Sequence, residues 1–282
     1  MEEGDIATCE ELWQEAWEAL RQAYAMGGSG PTGAERARLR RRIAHLRATD
    51  PGGSWVADDD GMITGLAQAF VRDGLWVLSL LAVAVSSQSR GVGRSLLERT
   101  LRYGDGDGPG LILSSRDPRA MHRYAAAGFA LHPSVMAMGT VDHARLAGDP
   151  GVDVRPGAAG DLDHAAYLGR RLRGAPHGPD VEFLLGEGAQ LFVAEGGFTV
   201  FGERGPVVLA ATDERTAGAL LHAGLGALPD GAAVGMLWVT GRQQWAIQAA
   251  IELGFELHPQ GAVMVRGAPG PLSPYLPSGA FG

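Results

Sequence analysis

The chain contains an internal repeat, and this feature constrains the fold more than any other. The segment Gly128–Pro133 (GFALHP) returns in the second half as Gly254–Pro259 (GFELHP). A strand and then a helix are predicted before each copy, at 110–114 and 117–127 in the first half and at 235–240 and 243–253 in the second. Similar segments in the same order indicate a tandem duplication, so we expect two domains with one fold.

Turn-forming residues mark the predicted junction between the two domains. They cluster at 147–151 (AGDPG), where hydrophobic periodicity stops, and a strand pattern restarts at Val152. We therefore expect a first domain at residues 1–148 and a second domain at residues 152–267. Residues 268–282 are rich in Pro, Gly and Ser, and we expect them to pack as an irregular C-terminal tail.

The order of predicted elements in the first half indicates an α/β fold. Two helices come first, the second ending near Thr49, and three strands follow at about 54–58, 65–71 and 75–85. A helix at 93–103 then leads to the strand and helix that precede the repeat. This order is typical of a sheet layered with helices.

Charge and composition exclude several functional classes. The net charge of -8 argues against general nucleic-acid binding. The longest apolar stretch, 75–85, contains Ser79 and is too short to span a bilayer. The N-terminus is acidic where a secretion signal would be basic, and the lone Cys9 cannot form an internal disulfide. We expect a cytoplasmic protein with neither a nucleic-acid nor a membrane partner.

A glycine-containing loop follows the third predicted strand. The segment Gln88–Gly93 (QSRGVG) leads from that strand into the next helix. Gly91 and Gly93 carry no Cβ to block an approaching ligand, so the backbone N–H groups can turn inward. Together with the free N–H groups at the start of the helix they would form an anion site, to which Arg90 and Arg94 add charge. A pyrophosphate suits this chemistry; the alternative is a tight turn whose glycines reflect composition alone.

The pattern Gln-x-x-Gly-x-Gly after an apolar strand resembles the acetyl-coenzyme A signature of the Gcn5-related N-acetyltransferase (GNAT) family. The resemblance covers the whole first half and implies two tandem domains, each a mixed, mostly antiparallel sheet layered with helices. It also implies direct transfer of an acetyl group from acetyl-coenzyme A to an amine in a ternary complex. The cofactor-binding residues implied are Leu81, Ala82, Val83, Gln88, Ser89, Arg90, Gly91, Val92, Gly93, Arg94, Ser95, Asp117, Arg119 and Tyr124.

The helix before the first repeat copy extends the resemblance. In the family this helix typically reads Asn-x-x-Ala-x-x-x-Tyr-x-x-x-Gly-Phe, and residues 117–129 match it in register, with Asp117 in the asparagine position. The resemblance makes Tyr124 the general acid that protonates the departing thiolate. Asp117 would either accept a hydrogen bond from the pantetheine arm or cap the helix before Pro118. Backbone N–H groups near Leu81 and Val83 would hold the thioester carbonyl.

The general base of the family is missing from its usual place. That base is commonly a glutamate eleven residues before the glutamine, and Val77 stands there in this chain. Water or a residue elsewhere in the chain would then remove the proton of the amine. An amine with a low pKa would need no base. Ser79 is our catalytic candidate because it could hold a water on the Val77 face of the strand; Asp73 and His122 are weaker candidates.

The second half lacks both functional features. Residues 212–217 (TDERTA) align with the loop but contain no glycine, and their acidic side chains would repel a pyrophosphate. Ala250 replaces the tyrosine and Gln243 the asparagine of the helix motif. We expect this half to support the first domain and to form one wall of the substrate cleft. No other metal-ligating residues lie at a suitable spacing from His132 or His258, so we predict no metal site.

Three functions follow from these patterns. The first is an N-acetyltransferase that acts on a small-molecule amine or a peptide N-terminus, with acetyl-CoA as co-substrate. The second, suggested by Val77, is a non-catalytic module that binds or senses acyl-CoA. The third is a structural protein whose loop binds nothing. The sequence leaves open the acceptor amine, the use of other acyl groups, and the oligomeric state, for which a homodimer is one candidate.

Overall fold

The computed structural model of the chain describes residues 1–24, 30–146 and 151–282. The helices are α1 Ile6–Ala23, α2 Gly33–Thr49, α3 Val92–Tyr103, α4 Pro118–Ala126, α5 Leu162–Arg173, α6 Pro179–Gly186, α7 Glu214–Gly226 and α8 Gln244–Leu253. The strands are β1 Ser54–Asp59, β2 Met62–Arg72, β3 Leu75–Val83, β4 Gly110–Ser114, β5 Ala130–Thr140, β6 Arg155–Pro156, β7 Gln190–Ala194, β8 Gly197–Gly202, β9 Gly205–Ala211, β10 Ala233–Thr240, β11 Glu256–Arg266 and β12 Tyr275–Leu276.

The element types in the first half follow the sequence prediction closely. The helix expected at 93–103 is α3, and the strand expected at 110–114 is β4. The strand expected to reach residue 85 ends at Val83, because Val85–Ser87 form a short 3-10 turn. The predicted junction at 147–151 lies almost wholly outside the described residues, so the division into 1–148 and 152–267 stays a prediction.

The described strands form two sheets: the five-stranded sheet contains strands of the second half only, and the seven-stranded sheet contains strands of both halves. The seven-stranded sheet has the order β1-β2-β3-β4-β11-β5-β10, and the five-stranded sheet has the order β12-β9-β8-β7-β6. Strand β11 of the second half therefore lies between β4 and β5 of the first half. The two repeat copies lead into β5 and β11, which pair with each other in antiparallel register, Ala130 opposite Val265.

The α/β fold class is confirmed, with one structural difference from the expectation. Among the described strand pairs only β3 and β4 are parallel, so the sheets are mixed and mostly antiparallel, as predicted. The halves do not, however, own one sheet each. Equivalent strands of a duplicated fold carry the same alternation of side chains, so each can occupy the other's place without exposing its apolar face.

The two faces of the seven-stranded sheet carry different layers. One face presents Trp76, Leu78 and Ile112 to side chains of α3 and α4, and we call it the α3–α4 face. The opposite face is covered by α1 and α2 near the end of β3. Further along this opposite face, Val77 and Leu111 pack against the second half and the C-terminal tail.

The C-terminal tail packs on the second half and is irregular apart from one two-residue strand. Tyr275 and Leu276 form β12, which pairs with Leu209 and Ala210 of β9. Both residues are buried, as is Phe281. A few widely spaced apolar side chains, rather than the composition of the segment, hold it on the core. Within the described ranges, no helix combines the length and the apolar character that crossing a membrane requires.

Candidate functional site

Strands β3 and β4 separate toward their C-terminal ends. They pair only from Trp76 to Leu78 on β3 and from Gly110 to Ile112 on β4. A β-bulge follows directly: Leu78 and Leu80 pair with adjacent residues of β2, which leaves Ser79 without a partner. An opening, which we call the β3–β4 gap, therefore lies between residues 79–83 and 113–114.

Two backbone N–H groups of β3 face this gap. Ala84 N–H donates to Thr64 O across the β2–β3 ladder, and alternate residues of an antiparallel strand point to the same neighbour. The N–H groups of Leu81 and Val83 therefore point away from β2 and into the gap. The N–H group of Ala82 points toward β2 and its side chain packs with α1 and α2, so this predicted cofactor residue offers no donor to the gap.

A run of unpaired backbone amides lies where the chain turns from β3 into α3. Within the described ranges, the N–H groups of residues 89–93 donate to no acceptor. The N–H groups of Arg94 and Ser95 donate to Gly91 O at 3.1 and 3.0 Å, so the unpaired run ends at Gly93. Free amides at a helix N-terminus attract an anion. Residues 89–93 therefore offer backbone amides, whereas Arg94 and Ser95 offer side chains only; the assignment of this loop to a pyrophosphate stays a prediction.

The two glycines of the loop serve different purposes. Gly91 is the residue before α3 and has a φ of 88°, in the left-handed region that side chains disfavour. Gly93 lies in the first turn of α3 and is buried. A Cβ there would lie 3.0 Å from Arg123 Nη1 and 3.3 Å from Val83 Cγ2. Gly91 therefore allows the turn, and Gly93 allows α3 to approach β3 and α4 closely.

Arg123 is a cation beside the loop that sequence reasoning missed. Its guanidinium lies next to Gly93, and it forms no hydrogen bond or ion pair with any described residue. Because Arg119 and Arg123 are four residues apart on α4, they occupy one face of the helix. The spacing of the two arginines shows from the sequence that they share a face of α4. It does not show that this face contacts the start of α3.

The remaining predicted loop residues are linked to the start of α4. Gln88 Nε2 donates to Val83 O at 3.3 Å, and Gln88 Oε1 accepts from Arg119 Nη1 at 3.0 Å. Arg119 also forms an ion pair with Asp117 at 2.9 Å. Burial raises the pKa of the Asp117 carboxyl, but the hydrogen bonds from Arg119 outweigh it and lower the pKa below its usual value. Asp117 is the N-cap of α4, with Pro118 at the first helical position.

Tyr124 lies on α4 with its ring against the last paired residues of β3 and β4. The ring is 5% exposed and packs with Leu78 and Ile112 on the α3–α4 face. The hydroxyl forms no hydrogen bond with a described residue, and its oxygen keeps contact with the surface. Burial raises the pKa of this hydroxyl above its usual value, so it carries its proton at neutral pH.

The outer side chains of the loop point toward solvent. Arg90 is largely exposed and lies 3.9 Å from Asp59. Arg94 is also exposed and forms an ion pair with Glu98, one turn further along α3, at 2.8 Å. Val92 is half-buried, and the Ser89 and Ser95 side chains are exposed. The two predicted arginines are therefore less closely associated with the free amides than Arg123 is.

None of the base candidates is positioned like the missing glutamate. Val77 is 1% exposed and packs in the core with Leu111. Asp73 forms an ion pair with Arg170 at 2.7 Å and precedes β3, about 20 Å of extended strand away from Ser79. His122 is exposed on α4.

Ser79 alone of the base candidates lies at the gap. Its hydroxyl is buried and has no hydrogen-bond partner among the described residues. A buried hydroxyl without a partner is one that an ordered water would satisfy. Because Ser79 is the bulged residue, its face does not follow from counting along the strand from Val77.

The second half contains the equivalent opening, but its own tail fills it. Strands β9 and β10 meet at their start, where Gly235 N–H donates to Arg204 O at 2.9 Å, and then separate into different sheets. Strand β12 pairs with β9 and contacts β10, so it occupies the space between them. Gln243, which aligns with Asp117, binds this tail by donating to Leu272 O and accepting from Tyr275 N–H, at 2.6 and 3.1 Å.

The loop of the second half is closed as well. Asp213 is the N-cap of α7, and its carboxylate accepts from Thr216 N–H at 2.8 Å and from the Thr216 hydroxyl at 2.8 Å. A fixed negative charge thus lies where the first half leaves its amides free. Ala250, in the place of Tyr124, is completely buried and has no proton to donate.

The residues of the first half fit acetyl-coenzyme A. The unpaired amides of residues 89–93, with Arg123 beside them, match the charge and the acceptors of a pyrophosphate. The β3–β4 gap offers the two N–H groups of Leu81 and Val83 to a carbonyl oxygen. In the described part of the chain, no group of three or more His, Cys, Asp or Glu side chains is arranged to hold a metal ion.

Comparison with known proteins points the same way. Residues 9–129 match the model of the Acetyltransferase (GNAT) family. A candidate acetyltransferase from Pyrococcus horikoshii superposes with a TM-score of 0.75 at 16% identity, over 100% of this chain and 94% of that one. A GCN5-related N-acetyltransferase from Kribbella flavida has a TM-score of 0.56 at 18% identity, over 91% and 70% of the two chains.

A third structure shares the two-domain arrangement. It is a tandem GNAT protein from the clavulanic acid biosynthesis pathway, with a TM-score of 0.51 at 15% identity over 94% of this chain and 96% of that one. At such identities the superpositions establish the fold alone. No curated protein matches the sequence significantly. The family match shows that residues 9–129 form a GNAT acetyltransferase domain, and the superpositions show that the whole chain has the fold of two GNAT-like halves in tandem.

Proposed function

We propose that the protein is an N-acetyltransferase that transfers an acetyl group from acetyl-coenzyme A to an amine. The observation that carries the proposal is the run of unpaired amides at residues 89–93, directly beside the β3–β4 gap. We assign the amides and Arg123 to the pyrophosphate, and Gln88 and Arg119 to the wall along the pantetheine arm. The acceptor we propose is a small-molecule amine or a peptide N-terminus.

Acetyl-coenzyme A would supply an acetyl group activated as a thioester. As the amine nitrogen bonds to the acetyl carbon, the carbon–sulfur bond breaks; the amine loses a proton and the sulfur gains one. The N–H groups of Leu81 and Val83 donate to the carbonyl oxygen as it becomes negative. Tyr124 donates its proton to the sulfur. Because the pKa of its hydroxyl is raised, Tyr124 is protonated throughout the neutral range and can act as the acid.

The proton of the amine has no carboxylate to receive it at the Val77 position. We assign its removal to a water held by the Ser79 hydroxyl, which is buried and needs a partner. An amine with a low pKa would arrive already deprotonated and need no such water. The pH profile therefore distinguishes the two cases: without a base, activity should follow the titration of the acceptor amine itself.

The test is the release of free coenzyme A thiol, followed with a chromogenic disulfide reagent, for a panel of amines and peptide N-termini. Background from the protein should be low, because Cys9 is buried and burial raises the pKa of its thiol to about 12. The chain contains no lysine, so an acetyl group found on the protein itself would point to its N-terminal amine. Amine-dependent thiol release supports the proposal.

The rival function is a module that binds acyl-CoA without turning it over. The observation that favours it is the fully packed Val77, which leaves this position without a base. Calorimetric binding of acetyl-coenzyme A with no thiol release across the whole amine panel would establish this alternative and overturn the transferase.

A further inference from the structure

A second cavity lies away from the β3–β4 gap, between the seven-stranded sheet and the C-terminal tail. It has a volume of about 260 Å³, near the lower end of the range of about 300–1,000 Å³ for small-molecule sites. Its floor consists of side chains from the sheet, including Leu111, Val263 and Val265, and its roof is formed by tail residues that include Leu272 and Tyr275.

The backbone of Trp238 in the wall of this cavity is strained. Trp238 and Leu237 form a β-bulge in β10, because Met236 and Val239 pair with residues of β5 that are only two apart. Trp238 has a φ of 51°, a conformation that a bulky side chain rarely adopts. The side chain of Gln260 holds it there, since Gln260 Oε1 accepts from Trp238 N–H at 2.6 Å. Strain of this kind is concentrated at binding and catalytic sites.

The indole N–H of Trp238 has no partner. The Nε1 atom is buried and forms no hydrogen bond with any described residue. The six-membered ring faces the tail, where a Cβ on Gly279 would lie 2.5 Å from Trp238 Cζ3. The nitrogen lies on the other side of the indole, away from Gly279. A buried donor without an acceptor is costly, and this cost adds to the backbone strain of Trp238 in the wall of the cavity.

The polar side chains of the cavity select an anion rather than a cation. Arg242 lines the cavity and uses Nη1 for Pro271 O at 3.2 Å, which leaves its other donors for a ligand. His132 and Thr240 also line it, and none of the described lining residues is acidic. A planar guanidinium matches the two oxygens of a carboxylate, while the strand side chains favour an apolar body. An amine would find no counter-charge here.

We propose that this cavity binds a small carboxylate with an apolar body, with the carboxylate held by Arg242 and the body packed against the Trp238 indole. The site is separate from the acetyl-coenzyme A site and does not depend on the function proposed for it. His132, interpreted from the sequence as purely structural, then contributes to a binding wall. The tail closes the cavity as well as filling the opening of the second half.

The test uses the full chain labelled with 5-fluorotryptophan and observed by fluorine NMR. The chain has six tryptophans, and the resonance absent from Trp238→Phe is that of Trp238. Phenylacetate and 3-methylbutanoate are the probes, and phenethylamine is a cation with a matched body. The proposal predicts a saturable shift of the Trp238 resonance with the carboxylates and none with the amine.

Two variants of exposed arginines test whether the charge of Arg242 holds the carboxylate. Arg242→Gln should weaken carboxylate binding about tenfold, as expected for loss of a charge-assisted hydrogen bond. The control is Arg171→Gln on α5, an exposed arginine that does not line the cavity, and it should leave the affinity unchanged. In each variant, the fluorine resonances of the other five tryptophans should keep their wild-type chemical shifts, which confirms that the variant is folded. Absence of a saturable shift with both carboxylates, an equal shift with phenethylamine, or equal affinities of the two arginine variants would overturn the proposal.

Discussion

The two halves of this chain contain the same opening between strands in two different states. In the first half, β3 and β4 separate beyond Leu78, and the N–H groups of Leu81 and Val83 face an unfilled gap. In the second half, β9 and β10 separate in the same way, but β12 occupies the space. Gln243 binds the peptide groups of the tail there, in the position where the family resemblance places a pantetheine contact.

The loops before the two equivalent helices differ in the same sense. Residues 89–93 keep their amides free of any acceptor among the described residues, whereas the Asp213 carboxylate accepts from the Thr216 amide in the first turn of α7. A helix N-terminus can attract an external anion only if no internal one is already there. The comparison teaches that a duplicated fold can lose its ligand without losing its shape, provided that the chain itself replaces the contacts of the ligand.

Replacement of the proposed acid should have the largest effect. Tyr124→Phe keeps the packed ring and removes the hydroxyl that carries the proton, so we expect kcat to fall by about 10²–10⁴-fold while acetyl-coenzyme A affinity is unchanged. The matched control is Tyr167→Phe, a tyrosine 57% exposed on α5, which should retain full activity. Steady-state kinetics and calorimetry measure the two quantities. Weakened binding with unchanged turnover would refute the acid role.

Removal of a tail anchor tests the filled opening of the second half. Leu276 in β12 is 2% exposed, so Leu276→Ala should lower the free energy of unfolding by about 2–5 kcal/mol. Leu257→Ala, at a position 41% exposed, should change it by less than about 0.5 kcal/mol. Denaturant unfolding measures both. A wild-type stability for Leu276→Ala would mean that the tail is not part of the folded core.

A pair of glycine variants separates the loop from conformational strain in general. Gly91 and Gly106 have φ values of 88° and 68°, and a Cβ at either would meet no atom within 4 Å. Each Gly→Ala substitution should therefore cost about 1–2 kcal/mol of stability through the left-handed conformation alone. Only Gly91→Ala should also weaken acetyl-coenzyme A binding, measured by calorimetry. Equal affinities of the two variants for acetyl-coenzyme A would mean that the loop does not bind the cofactor.

Substitution of Arg123 or Arg94 should have the smallest effect, and it tests which of the two contributes more to acetyl-coenzyme A binding. Arg123→Gln removes the cation beside Gly93 and should weaken binding by roughly three- to tenfold, about 1 kcal/mol, with a reduced dependence on salt. Arg94→Gln disrupts only a solvent-exposed pair with Glu98, and such pairs contribute about 0–1 kcal/mol. A larger loss for Arg94→Gln than for Arg123→Gln, in titrations at two salt concentrations, would reverse our assignment.

Contiguous patterns were predicted well from the sequence. The loop 88–93 and the helix 117–127 are local features, because turn geometry, capping by Asp117 and helix periodicity act within a few residues. The family match in the first half follows from these same motifs. The β-bulge at Ser79 was not predicted, since it depends on the register with β2 rather than on the residues of β3 alone.

Features that depend on long-range partners were missed. The placement of β11 between β4 and β5 is invisible to periodicity, because β5 and β11 alternate in the same way. Arg123 became a candidate only when α4 was placed beside the start of α3. The tail was expected to pack, but the place where it packs depends on the buried side chains of Tyr275 and Leu276 and on the shape of the opening they enter, neither of which composition describes.

The number of acetyl-coenzyme A molecules bound by one full-length chain tests the central comparison most directly. An isothermal titration should give a single site per chain, because the amides of residues 89–93 are free while the opening of the second half is filled by β12. A stoichiometry of two would mean that the tail yields to the ligand, and no binding would mean that the loop of the first half does not hold a pyrophosphate.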